Sequence, residues 1–181
     1  VAWNDKASAT TAKINMYLGK NPVAIDVWGN RTPIPLIEGK HVLALTHTPI
    51  FIDGIDPQLA QFRSHFSVQP TFIESVQGTH KHTITLSNPW NRTISGNMRF
   101  TGPPNWSFAP PQHFFSIASG RSVVLPLTMS FPISEVAGDK MVTANFKFIA
   151  DQRYDVDLAA PLRLGLKYIS FVAAIPLGPG A

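Results

Sequence analysis

The sequence predicts an all-β protein of two β-sandwich units, the second immunoglobulin-like, joined by a short helical or irregular linker. Three observations lead there. Short segments of alternating apolar and polar residues run from end to end, Pro, Gly and Asn punctuate them, and almost no stretch carries helical apolar spacing. The 16 Pro and 12 Gly are turn punctuation, and 44% hydrophobic content across 181 residues is enough to bury a core. The 14% charged fraction is below the roughly one-quarter of an average domain, which suits a sandwich.

Residues 1–56 form the first unit, a partial sandwich. Its strand candidates are Val1–Trp3, Lys13–Leu18, Val23–Trp28, His41–Thr46 and Ile50–Ile52. In Val23–Trp28 the period of two puts Val23, Ile25 and Val27 on one face and Asp26 and Trp28 on the other. Gly29-Asn30 is a hairpin signal, because both residues tolerate positive φ, and a second hairpin turns at Glu38-Gly39-Lys40. Residues 57–70 read as the linker: Asp56 is a capping residue and Pro57 the first helical position of one or two turns.

Residues 71–181 hold the second set: Thr79–Ser87, Ile94–Phe100, Ser122–Ser130, Met141–Ala150, Tyr154–Leu158 and Leu162–Tyr168. Val123, Leu125, Leu127 and Met129 share a face, as do Val142, Ala144, Phe146 and Phe148, and Leu162, Leu164, Leu166 and Tyr168. Six or seven strands at this spacing, without βαβ intervals, predict an immunoglobulin-like sandwich.

Composition excludes several functions. The net charge is +4 and the pI about 9.6, yet no two Lys or Arg are adjacent, so there is no basic stripe and no nucleic-acid partner is expected. The uncharged stretch 101–120 contains Pro103, Pro104, Pro110 and Pro111, which a spanning helix does not absorb, so no membrane span is expected. The apolar end Ile169–Ala181 reads as a tail. With no cysteine there are no disulfides, thiolate zinc sites or cysteine nucleophiles. A start at Val1 without a leader reads as a processed product or a piece of a longer chain.

No catalytic constellation emerges. His80 and His82 share a strand face but lack a third metal ligand, and they read as a strand end. Asp151, Asp155 and Asp157 lack the Gly and terminal Glu of a calcium loop and read as hairpin polarity. Asp26, Glu38, Asp53 and Asp56 mostly adjoin Gly or Pro in turns, which favours structural roles over paired-carboxylate chemistry. There is no Gly-x-Ser-x-Gly elbow or phosphate loop. No catalytic residue, metal or cofactor is expected. The matches to the N-glycosylation pattern at Asn30, Asn91 and Asn105 carry little weight. The candidates that remain are aromatic: Trp90, Trp106, Phe108 and Phe114 are residues a sugar-binding face would use for stacking. Trp90 and Trp106 lie in Pro-rich connections, where plugging the end of the sandwich is the preferred reading.

Two resemblances give these elements a context. Val1-Ala-Trp-Asn-Asp5, Tyr17-Leu-Gly19, Val23-Ala-Ile-Asp-Val-Trp-Gly-Asn30, Val42-Leu-Ala-Leu-Thr46 and Pro49-Ile-Phe-Ile52 together resemble the β-sandwich that follows the catalytic barrel in many glycoside hydrolases. Leu86-Ser-Asn88, Pro103-Pro-Asn-Trp106, Ile117-Ala-Ser-Gly-Arg-Ser-Val-Val124 and Phe131-Pro132 are similar to immunoglobulin-like modules attached to α-galactosidases and related enzymes. In those families the catalytic carboxylates lie on the barrel, so none transfers to this chain. The resemblance implies a non-catalytic accessory region of a larger secreted carbohydrate-active enzyme, extracellular or periplasmic, with its first sandwich incomplete without upstream strands. The implied partner is the upstream barrel of the same polypeptide. Two alternatives stand beside it: a carbohydrate-binding module with polysaccharide as partner, and an extracellular adhesion or surface-assembly module that pairs through edge strands.

Overall fold

A computed structural model describes residues 1–4 and 12–167. Among the described residues the protein is all-β apart from one helix. The first unit contains β1 (Ala12–Met16), β2 (Val23–Ile25), β3 (Arg31–Pro33), β4 (Leu36–Ile37), β5 (Lys40–Leu45) and β6 (Phe51–Asp53). They form two antiparallel three-stranded sheets, in the orders β1-β5-β4 and β3-β2-β6. Leu18, Ile34, Leu43 and Leu45 are the buried core of this unit, with Ile14, Met16, Ile50 and Ile52 packed partly buried around them.

Both expected hairpins form. Glu38 (φ 49°) and Gly39 (φ 76°) turn β4 into β5, as a two-residue turn with positive φ at both positions requires. The strand over Val23–Trp28 stops early, at Ile25, because the Asp26 side chain takes over the backbone. Its Oδ1 accepts from the Trp28 and Asn30 N–H groups, each at 2.9 Å, and offers the chain a turn in place of a ladder. Val1–Trp3 contributes only a bridge between Ala2 and Ile50.

Residues 57–70 are not a free linker. Helix α1 (Pro57–His65) is capped by Asp56, whose carboxylate accepts the Leu59 N–H at 2.9 Å, with Pro57 in the first turn as the sequence implies. Its Leu59 and Phe62 are fully buried in the core of the second unit. The chain then enters β7 (Ser67–Gln69), which pairs with a strand of that same unit. The sequence reading finds the helix and misses its place, because the packing partners of Leu59 and Phe62 lie far along the chain.

The second unit continues with β8 (Phe72–Glu74), β9 (His80–Ser87), β10 (Ile94–Thr101), β11 (Ser107–Ala109), β12 (Gln112–Ile117), β13 (Ser122–Ser130), β14 (Gly138–Ile149) and β15 (Arg153–Gly165). A five-stranded sheet, β12-β10-β14-β15-β8, faces a four-stranded one, β11-β13-β9-β7. All pairs are antiparallel except β15 with β8. Met98, Phe100, Phe146, Phe148 and Leu158 meet Ile84, Leu86, Leu127 and Met129 in one core. The faces read from periodicity hold: Val142, Ala144, Phe146 and Phe148 point inward, as do Leu162 and Leu164. Leu166 lies beyond the strand and is exposed, while Tyr168 and the 169–181 tail fall outside the described residues.

The two segments Tyr154–Leu158 and Leu162–Tyr168 are joined in the single strand β15. Pro161 does not break it. The Arg163 N–H bonds to Thr71 O at 2.8 Å, so the nitrogen two residues earlier faces the same side, past the end of β8. A missing donor there forfeits no ladder bond.

Candidate functional site

Where the aromatic candidates sit depends on local hydrogen bonding. Asn88 is buried at the end of β9, where its Nδ2 donates to Arg92 O and Ile117 O (2.8 Å each) and its Oδ1 accepts from the Trp90 N–H (2.9 Å). The turn built on these bonds drives Trp90 into the core, where its ring lies 5.7 Å from Phe62 and 5.4 Å from both Phe148 and Tyr154. Trp106 is also buried. Its indole N–H donates to Glu135 Oε2 at 2.9 Å and its ring packs 5.0 Å from Phe131. Glu135 also pairs with Lys140, and these two bonds hold its carboxyl below the usual carboxylate range. Phe108 is half-buried, stacked 5.8 Å from Phe100. Trp90 and Trp106 therefore plug the sandwich and present no face to a sugar. Phe114, 75% exposed, is the one candidate of the four that does.

Phe114 stands on the outer face of the five-stranded sheet. In β12 the residues His113, Phe115 and Ile117 turn inward, so Gln112, Phe114 and Ser116 turn out. Register then places the neighbours in rows across the sheet. One row runs Phe114, Asn97, Lys147, Asp155, and the next Gln112, Arg99, Asn145, Asp157. Two adjoining grooves follow these rows. One, of about 480 Å³, is lined by Asn97, Arg99, Gln112, Asn145 and Lys147; the other, of about 380 Å³, shares Asn97 and Lys147 with it.

The side chains of this face hold one another in place. Gln112 Oε1 accepts from Arg99 Nε (3.1 Å) and Nη2 (2.8 Å). Asn145 Nδ2 donates to Asp155 Oδ1 (3.0 Å) and Asp157 Oδ1 (2.9 Å), and Lys147 pairs with Asp155 at 3.2 Å. Lys40 of the first unit reaches Asp157 Oδ2 at 2.8 Å, and this bond, with that from Asn145, keeps the Asp157 carboxyl below its ordinary range. Asp155 and Asp157, read from sequence as hairpin polarity, thus lie within a strand, while Asp151 sits in the preceding turn.

Asp151 faces the junction of the two units. The Tyr154 hydroxyl donates to Asp56 Oδ2 at 2.7 Å and lies 2.9 Å from Asp151 Oδ1. Burial, then the Asp56 bond, pushes the Tyr154 phenol well above its usual range. Tyr17 packs edge-on to Tyr154 at 6.3 Å and accepts from Gln152 Nε2 at 3.3 Å. Behind it His41 is buried, with Nδ1 accepting the Leu18 N–H at 3.1 Å, and burial pushes its imidazole below its usual range. Two carboxylates meet one phenol at this junction, and neither of them lines the adjoining pocket of about 220 Å³, which is formed by Tyr17, Gly39, Arg153, Tyr154 and Asp155.

The remaining sequence candidates take structural places. His82 is buried with Nδ1 2.9 Å from Pro70 O, and His80 stacks on Phe131 at 4.9 Å. No group of three or more potential metal-binding side chains forms among the described residues. Asp53 pairs with Arg31 at 2.6 Å, and Asp56 caps the helix.

The first unit carries the other distinctive surface. Trp3, Val27, Trp28, Leu36, Ile37, Phe51 and Ile55 are exposed, and Trp28 most of all, at 79%. Trp28 is not left there by slack. Besides the two backbone bonds to Asp26 Oδ1, Asn30 Nδ2 donates to Asp26 Oδ2 at 2.7 Å, and Gly29, at φ 87°, closes the turn with its N–H on Asp26 O. Asn30 heads this set of bonds, which lower the Asp26 carboxyl below its ordinary range.

No protein-family model matches the chain, and no curated protein sequence does. Among solved structures, WR4, a C. elegans MSP family member, aligns with a TM-score of 0.36 at 8% identity over 55% of this chain and 97% of its own. SSP-19, an MSP-domain protein like family member from Caenorhabditis elegans, gives 0.36 at 11% over 55% and 98%. The periplasmic chaperone SfaE gives 0.37 at 12% over 59% and 60%. Overlaps at these scores carry no functional argument. The chain is a β-sandwich module by its own architecture.

Proposed function

We propose that this chain is a non-catalytic accessory region of a larger secreted carbohydrate-active enzyme, and that its first unit docks against an upstream catalytic barrel. The observation that carries the reading is the Asp26 turn. Five hydrogen bonds gathered around Asp26 order the turn from which the exposed Trp28 projects. Ordering a chain around an exposed Trp is repaid when that ring inserts into a partner surface, since Trp is a favoured anchor of buried interfaces. The exposed Phe51, Ile55 and Trp3 extend the apolar area around a unit whose own buried core is small. The resemblance of the segments that carry Trp3, Trp28 and Phe51 to the sandwich that follows glycoside hydrolase barrels supports a barrel as the partner.

Two measurements test this. The purified chain is expected to hydrolyse no glycoside, and turnover abolished by a single carboxylate substitution would overturn the accessory role. In the full-length polypeptide, Trp28→Ala is expected to lower the melting temperature of the upstream unit. An unchanged melt, or an upstream reading frame that encodes no barrel, would remove the docking partner.

A further inference from the structure

We propose that the outer face of the five-stranded sheet binds an acidic polysaccharide, with Phe114 as the stacking wall and Arg99 as the carboxylate-binding group. The proposal rests on the accessory reading for the choice of a polysaccharide, and otherwise on the groove itself.

The groove has the mixture of groups that a hydroxyl-rich ligand requires. Asn97 lines it with an amide that both donates and accepts, as a sugar hydroxyl does, while Gln112 keeps its N–H groups and Asn145 its carbonyl oxygen for a ligand, their other ends being engaged with Arg99 and with Asp155 and Asp157. Asn97 is the cross-strand partner of Phe114, so their Cβ atoms lie about 5 Å apart and the exposed phenyl ring stands beside the groove that Asn97 lines.

Charge narrows the class. No carboxylate lines the larger groove, whereas Arg99 and Lys147 do. Lys147 is neutralised by Asp155, but Arg99 takes part in none of the ion pairs among the described residues. Its partner is the neutral amide oxygen of Gln112, which fixes the guanidinium through two N–H groups and leaves three of its five donors unused. A rigid guanidinium with spare donors and no counter-charge matches a carboxylate. Arg99 and Phe114 are diagonal neighbours across β10 and β12, about 7–8 Å apart at the backbone, a span that adjacent sugar residues of one chain bridge.

The test is affinity electrophoresis of the full chain in gels containing polygalacturonate, neutral galactan or dextran sulfate, with Arg99→Gln and Phe114→Ala beside the parent. Both side chains lie on the outer face, so unchanged thermal melts are required of the variants. Polygalacturonate is expected to retard the parent, with at least tenfold weaker affinity in each variant and at least tenfold weaker binding of galactan. No retardation by polygalacturonate would overturn the site. Equal retardation by dextran sulfate that survives Phe114→Ala would reduce it to general attraction by a basic protein, and galactan binding indifferent to Arg99→Gln would overturn the acidic ligand. Neither substitution touches Trp28, so this site and the docking of the first unit can fail independently.

Discussion

Replacing Phe62 with Ala tests whether α1 is a linker or part of the core. Phe62 is fully buried, and its ring lies 5.1 Å from Phe148, 5.4 Å from Phe146 and 5.7 Å from Trp90. Burial of such a side chain is worth about 2–3 kcal/mol, and the cavity left by truncation raises the loss to about 3–5 kcal/mol. Three ring contacts put this site at the upper end of that range, since each aromatic pair adds about 0.5–1.5 kcal/mol. In a chain of this size about 4 kcal/mol lowers the melting temperature by roughly 10 °C. Urea unfolding followed by tryptophan fluorescence reads the loss, because Trp90 is a direct neighbour. Gln61→Ala, on the exposed side of the same helix, is the control and is expected to stay within about 0.5 kcal/mol. If Phe62→Ala costs less than about 1 kcal/mol, α1 is a connector that rests on the sandwich without filling it.

Two further perturbations address the sheet and the junction. A Cβ at Gly96 would collide with the carbonyl oxygen of Lys147 and with Cβ of Phe148, so Gly96→Ala is expected to destabilise by about 3 kcal/mol in the same urea assay, and a neutral result would mean that β14 can shift away. The Tyr154 phenol is raised, so the stability it contributes is complete below the ordinary tyrosine pKa and is lost as pH climbs through the higher folded value. Ultraviolet titration should therefore show one phenol that stays protonated well above pH 10 until the fold opens, and Tyr154→Phe should delete it; full ionisation near pH 10 with the fold intact would refute the buried bond to Asp56.

Much of this architecture is legible from local pattern. The inward rows of β13, β14 and β15 follow from alternation alone, because a strand has only two faces and one of them must be buried. The Glu38-Gly39 hairpin and the Asp56-Pro57 helix start follow from backbone chemistry that each residue carries with it. What escapes is non-local. The Phe62 site exists only where Phe146 and Phe148 of β14 meet Trp90, and no window around residue 62 contains them. Val23–Trp28 loses its second half because one carboxylate competes with the ladder, a contest that apolar alternation does not register.

The candidate site shows the same division. Stacking residues chosen by type alone, Trp90, Trp106, Phe108 and Phe114, fall into plugs, a half-buried ring and a single exposed one. A signal was present: in Gln112–Ile117 the adjacent Phe114 and Phe115 cannot both face the core, and His113, Phe115 and Ile117 form the more apolar row. The Pro-rich flanks hide that strand, and the strand candidates pass from Phe100 to Ser122 without it. Asn88 offers a second lesson, because it directs Trp90 inward through three hydrogen bonds that no spacing rule reveals.

One strand ties these surfaces together. The inward row of β15 carries Tyr154, whose hydroxyl holds Asp56 at the junction, and its outward row carries Asp155 and Asp157, which orient Lys147 and Asn145 in the groove. Lys40, extending from the β4–β5 hairpin, closes the link by bonding Asp157 from the first unit. A small core gives the first unit little stability of its own, so these contacts and the Asp56 N–H bond to Leu18 O at 2.7 Å hold it to the larger sandwich. The exposed Trp28 turn and the Phe114 groove are thereby carried on one continuous hydrogen-bonded frame. Under the proposed function, a polymer bound at Arg99 and Phe114 would be held at a set distance from whatever receives Trp28, so loss of either surface is expected to leave the other in place.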